Sequence, residues 1–271
     1  MTYNNGTIMM AFGFTLVAGL STGIGAAMAF FTRRTNTKFL SVALGFSAGV
    51  MIYVSFIEIF AKSKTCMMNV AGDYWGTIYT VMGFFGGVAL IAIIDRLIPA
   101  VENPHEMHKI EEIRDSIDIS DPRLMRMGLF AALAIGIHNF PEGFATFMSA
   151  LRDPKLGVAI TTAIAIHNIP EGIAVSVPIY FATANRSKAF WLATLSGMAE
   201  PVGAIIGFLI LRQFMNDYVF GLSFAAVAGI MVFISLDELL PAAQRYGEHH
   251  LSIYGLIAGM VVMAFSLIMF M

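Results

Sequence analysis

His138-Asn139-Phe140-Pro141-Glu142-Gly143 is repeated as His167-Asn168-Ile169-Pro170-Glu171-Gly172, and both hexapeptides sit inside long apolar runs. On a helix, side chains four apart share a face, so His138 lies beside Glu142 and His167 beside Glu171, with Asn139 and Asn168 one step round each cylinder. Each copy thus offers an imidazole, an amide and a carboxylate in otherwise apolar surroundings. The proline three places after each His removes a backbone N–H and frees the carbonyl four residues earlier, at Ile137 and Ile166. Two broken helices are the expectation, and in a membrane such helices are tolerated where they line a site or cavity.

The surrounding chain is that of a polytopic membrane protein. Of its 271 residues 58% are hydrophobic and only 13% are charged, against about a quarter in soluble proteins, and the mean hydropathy is +0.76. The single cysteine, Cys66, excludes an intrachain disulfide framework and a Cys-based zinc site. Apolar runs near 8–31, 39–61, 77–99, 125–150, 156–182, 188–211, 218–243 and 251–271 are each close to the ~20 residues a bilayer requires. They predict an all-α fold of eight spans forming one transmembrane domain over residues 1–271, with a short cytoplasmic loop at about 101–122. Nothing suggests a nucleic-acid surface.

Lys and Arg set the orientation. With the N-terminus outside, the inner loops hold 11 of the 16 basic residues and the outer loops five, so the positive-inside rule places both termini outside the cytoplasmic membrane.

The chain also repeats itself on a larger scale. Ala48-Gly49-Val50-Met51-Ile52-Tyr53-Val54-Ser55-Phe56-Ile57-Glu58-Ile59 aligns without gaps with Ala228-Gly229-Ile230-Met231-Val232-Phe233-Ile234-Ser235-Leu236-Asp237-Glu238-Leu239. Span 1 (Gly19, Gly25) matches span 6 (Gly197, Gly203) at nearly the same offset, and spans 3 and 8 share the Gly83/Gly87 and Gly255/Gly259 spacing. Five spans separate each matched pair, so the copies cross in opposite directions. This predicts a 3+2+3 plan in which spans 1–3 and 6–8 form an inverted repeat around spans 4 and 5, as in many secondary transporters. The glycine spacings of spans 3 and 8 suit packing within one chain or between two copies in a homodimer.

Glu142, Glu171 and Glu200 fall near the middles of their spans with no Lys or Arg at comparable depth. Each intramembrane charge costs at least ~3 kcal/mol on insertion scales, so the missing counter-charge reads as a cation from outside. Imidazoles with carboxylate and amide oxygens suit zinc, iron, manganese or cobalt, whereas calcium and magnesium prefer all-oxygen shells and copper(I) prefers sulfur. Glu142 and Glu171 can each serve two ions, one with the His pair and one with Asn139, Asn168 and Glu200. Glu58 is expected near the outer mouth, and Asp237 and Glu238 near the inner one, a solvated helix end being the other open reading for each. His105, His108, His249 and His250 fall in inner loops, where weak ion capture and an ordinary surface role are both open readings.

The doubled His-Asn-x-Pro-Glu-Gly, the Glu200-Pro201 pair, Asp237-Glu238-Leu239-Leu240-Pro241 and the eight-span plan resemble the ZIP (Zrt-/Irt-like) metal transporters over nearly the whole chain. The resemblance implies an importer of zinc and other divalent metals, cadmium among them, with a binuclear centre between spans 4, 5 and 6. By position, one site uses His138, Glu142, His167 and Glu171, and the other Asn139, Glu142, Asn168, Glu171 and Glu200. It also implies no catalytic residues, and metal as bound substrate with no cofactor. An intramembrane metal-dependent hydrolase or a metal sensor is the alternative, although no HExxH signature is present and a hydrolase needs no inverted repeat.

Overall fold

The computed structural model describes residues 4–30, 37–97, 122–214, 216–246 and 249–270. Every regular element among them is helical: α1 (Asn5–Ala29), α2 (Thr37–Val54), α3 (Ala61–Leu97), α4 (Pro122–Arg152), α5 (Pro154–Thr183), α6 (Arg186–Gly197), α7 (Ala199–Leu211), α8 (Asp217–Ile234), α9 (Leu240–Tyr246) and α10 (His249–Phe270). Among the described residues six helical stretches, 5–29, 41–96, 154–183, 186–211, 217–244 and 250–269, are long and apolar enough to cross a membrane. The expected loop at 101–122, with His105 and His108, lies outside the described residues except for Pro122.

The stretch 41–96 is not one rod. Gly72 adopts φ 77° and ψ 166°, a conformation open essentially to glycine alone. There the chain doubles back: Phe60 and Phe84 pack with ring centroids 5.5 Å apart, and a Cβ on Gly76 would strike the backbone of Met67 and Met68. The outer loop expected between residues 61 and 77 is therefore a helical hairpin. Hydropathy marks where lipid ends, while the helix ends only where a residue abandons helical dihedrals.

The prolines also behave differently from expectation. α4 and α5 run without interruption past Pro141 and Pro170, since one lost hydrogen bond does not end a helix that its neighbours hold on several sides. The one break of this kind falls in the predicted span 6, where Met198 (ψ −7°) separates α6 from α7 and puts Glu200 in the first turn of α7. A carboxylate is favoured at that helix N-terminus.

The two aligned dodecapeptides carry the same backbone irregularity. α2 passes into a π-helical segment at Ser55–Phe60 and α8 into one at Ser235–Leu239, each starting at the matched serine. Such segments widen the helix by a residue per turn and re-aim the side chains that follow.

Glycine contacts show how the helices close on one another. An added Cβ at Gly49 would collide with the Leu256 carbonyl, and one at the matched Gly229 with that of Phe84. Gly87 and Gly259 likewise meet the carbonyls of Ala226 and Phe46, and Gly25 and Gly203 those of Ile169 and Phe140. The glycines of predicted spans 3 and 8 are thus used within the chain, against α8 and α2. At the Gly72 end of the bundle Lys62 pairs with Glu58 (2.8 Å) and Asp153 (3.7 Å). Arg152 there pairs with Asp217 at 3.1 Å and lies 4.4 Å over the Phe220 ring.

Candidate metal centre

α4 and α5 are antiparallel neighbours joined at Asp153, whose carboxylate caps α5 by accepting from the N–H groups of Lys155 and Leu156. The turn brings the two hexapeptides side by side. Gly143 and Gly172, which end them, lie against the backbone carbonyls of Glu200 on α7 and Thr22 on α1. No bulkier residue fits there without moving a helix.

The seven polar residues singled out from the sequence are all buried: His138 3%, Asn139 0%, Glu142 0%, His167 1%, Asn168 0%, Glu171 2% and Glu200 0% exposed. Their contacts cross between helices. His138 Nε2 lies 3.1 Å from Glu171 Oε1, and His167 Nε2 lies 3.2 Å from Glu142 Oε2. Asn168 Nδ2 donates to Glu200 Oε1 and, at 3.0 Å, to the carbonyl of Ala18 on α1. Each hexapeptide therefore completes the other.

The remaining donor and acceptor atoms define the chemistry. Oε1 of Glu142, Oε2 of Glu171, Oε2 of Glu200, Oδ1 of Asn168, both side-chain polar atoms of Asn139 and the Nδ1 atoms of both His are buried without a hydrogen-bond partner. Buried polar atoms are ordinarily satisfied, so a group left in this state needs an explanation. Most of these atoms carry lone pairs, and lone pairs around carboxylates in a dry interior attract a cation. Among the described residues no three His, Cys, Asp or Glu side chains form a ready-made metal cluster. The cross-helix pairs are nonetheless close to the required spacing: two ligands about 2.0–2.1 Å from a tetrahedral zinc stand roughly 3.3 Å apart.

Acids expected at the mouths divide. Glu238 reaches the site, its Oε2 3.7 Å from His138 Nδ1. Its counterpart Glu58 pairs with Lys62 instead. Neither ends a helix, because the helical backbone runs on past both. Asp237 is exposed. His250 is exposed and stacks on Tyr254, while the side chain of His249 lies outside the described residues. The sequence did not point to Ala18, because a backbone carbonyl leaves no mark in residue type.

The family described as ZIP Zinc transporter matches residues 99–267, more than half of the chain. The chain belongs to the ZIP family. It is 64% identical over 266 residues to Zinc transporter ZupT of Lysinibacillus sphaericus (strain C3-41), covering 98% of this chain and 99% of that one. It is 62% identical over 265 residues to Zinc transporter ZupT of Chlorobaculum parvum (98% and 99% covered) and 61% identical over 263 residues to that of Streptococcus mutans serotype c (97% and 98% covered). ZIP proteins are transporters, so the hydrolase reading is set aside. The ZIP match takes in both hexapeptides, Glu200 and Glu238, and the ZupT relatives extend the likeness over α1–α3.

Proposed function

We propose that this chain imports zinc across the cytoplasmic membrane through the cluster between α4, α5 and α7. Iron, manganese, cobalt and cadmium are further substrates by ligand type. The observation that carries this reading is the convergence of Glu142, Glu171 and Glu200 in a buried site where Glu142 and Glu171 have imidazoles as their hydrogen-bond partners and one oxygen of each of the three carboxylates has no hydrogen-bond partner.

The site is binuclear in this reading. Glu142 and Glu171 each turn one oxygen toward a His and leave the other unpartnered, so each carboxylate has an arm for two ions. His138, Glu142, His167 and Glu171 hold the first, and Asn139, Glu142, Asn168, Glu171 and Glu200 the second. An arriving ion takes over the oxygens now facing the imidazoles and supplies the charge that the carboxylates lack.

The chain crosses the membrane eight times with both termini outside, in a 3+2+3 inverted repeat. Supporting this are the Gly72 hairpin, the paired π segments and the reciprocal glycine contacts, in which each contact of one half has its sequence-matched partner in the other. Rocking of the halves about the central site exposes it alternately to the Glu58 end and the Glu238 end. Whether the transporter works as a homodimer does not bear on this route, which lies within one chain.

The test is zinc uptake by proteoliposomes holding the purified protein, beside the Glu142→Ala/Glu171→Ala variant. Filling by wild type alone supports the reading. Binding without uptake by the wild type makes the chain a sensor and ends it.

A further inference from the structure

Serine and threonine in apolar helices usually satisfy their hydroxyls on a carbonyl of the preceding turn, and in this protein Thr15, Ser21, Thr80, Thr194, Ser196 and Ser235 do so. Thr146 and Ser149 on α4 and Thr161 on α5 do not. They are 0%, 1% and 7% exposed, and their Oγ atoms have no hydrogen-bond partner.

Their placement is ordered. Thr146 and Ser149 follow Glu142 by four and seven residues, and Thr161 precedes Asn168 by seven, so all three continue the faces that carry the site. At 1.5 Å per residue Thr146 stands about 6 Å above Glu142, and Ser149 and Thr161 about 10 Å above their own site residues. Both helices run in that direction toward Asp153, which shares Lys62 with Glu58. The hydroxyls therefore span the gap between the acids of the Gly72 end and the central carboxylates.

On α4 and α5 the other half of the bundle has no such set among the described residues. The positions that match Thr146, Ser149 and Thr161 through the doubled hexapeptide are Val175, Pro178 and Ala132. Ser55 on the Gly72 side is buried with its Oγ unpartnered, whereas its counterpart Ser235 donates to the Met231 carbonyl. Among the described residues the other buried hydroxyls without a partner, Thr22, Ser41 and Ser47, lie on α1 and α2.

We propose that Thr146, Ser149 and Thr161 form a relay of neutral oxygen ligands that carries the incoming ion from the Glu58–Asp153 end to Glu142. The inference rests on the importer reading above and on its orientation. A divalent ion passing between buried apolar helices must replace the water it sheds. Hydroxyl oxygens do this at steps of a few ångströms and, being uncharged, hold the ion weakly enough to let it leave, as successive sites on a conduction path must. A carboxylate at the same place would trap it. Oxygen donors of this kind serve zinc, manganese and iron alike and give no help to copper(I), which seeks sulfur.

The experiment compares Thr146→Val/Ser149→Ala/Thr161→Val with wild type in two measurements: zinc binding by titration of the purified protein, and initial zinc uptake into proteoliposomes. The relay predicts binding within about twofold of wild type and uptake slowed roughly tenfold. Thr146→Ser/Ser149→Thr/Thr161→Ser, which keeps every hydroxyl, retains the wild-type rate. If the triple variant does not purify, the single variants carry the test, each slowing uptake with binding unchanged. Uptake at the wild-type rate overturns the relay, and so does a loss of uptake matched by loss of binding, which would make the hydroxyls part of the site's scaffold. Failure of wild type itself to take up zinc sinks the importer reading instead.

Discussion

Glu171→Gln should raise the stability of the metal-free protein while abolishing its response to zinc. Glu171 is 2% exposed, and its Oε1 lies 3.1 Å from His138 Nε2. Gln keeps the shape and the acceptor oxygen and removes the charge. An ionised side chain at the centre of a spanning helix costs about 3 kcal/mol, and exchanging a charge-assisted hydrogen bond for a neutral one returns roughly 1.5 kcal/mol of that. The variant without metal should therefore be more stable by about 1.5 kcal/mol. Zinc at about 100 times its Kd stabilises the wild type by about 2.7 kcal/mol, a gain lost to a variant missing a shared ligand charge. Thermal unfolding of detergent-solubilised protein, in chelator and then in zinc, reads both. The order of the two Tm values should invert between the conditions. A variant that is less stable in chelator, yet keeps the full zinc shift, would show that this carboxylate serves packing and refute the reasoning.

Other perturbations follow from the same structure. Gly72→Ala forces a side chain into a glycine-only conformation and should cost about 1–3 kcal/mol of stability, whereas Gly86→Ala, in a helix interior where nothing lies within 4 Å of an added Cβ, should hold or raise the unfolding temperature. Gly143→Ala and Gly172→Ala push a methyl group into the carbonyls of Glu200 and Thr22; displacement of the site by about 1 Å should cut uptake by about 100-fold, measured in proteoliposomes. Zinc and protons compete for the same lone pairs, so the apparent zinc affinity should fall as pH is lowered from about 7.5 to 5.5, as titration of the purified protein will show. Asn168→Ala removes an oxygen ligand of the second ion and releases Glu200 from its amide partner, and should weaken zinc binding by at least about 10–100-fold, the usual cost of losing a supporting partner alone.

Residue type alone exposed much of this protein. The doubled hexapeptide and Glu200 name seven residues that the fold buries, six of them in cross-helix contacts, because burying such groups in lipid needs a compensating partner and leaves few alternatives. The Ser55/Ser235 match likewise anticipated a shared feature, although the π segments themselves could not be read, since nothing in side-chain type distinguishes them from ordinary helix. Two expectations failed for physical reasons. Pro141 and Pro170 were expected to break their helices, but neighbouring helices hold the backbone on both sides, and the break went to Met198 ahead of Pro201. Hydropathy ends span 2 at residue 61, whereas the helix continues to Gly72. The carbonyl of Ala18 and the approach of Glu238 to His138 depend on helix crossings that no local pattern encodes.

The most direct test of the central claim is to locate zinc in crystals of the purified protein by anomalous diffraction at the zinc edge. The account predicts one or two peaks between α4, α5 and α7, within bonding distance of His138, Glu142, His167 and Glu171 and, for a second ion, of Asn139, Asn168 and Glu200. Peaks confined to the protein surface, with the buried cluster empty at saturating zinc, would contradict it.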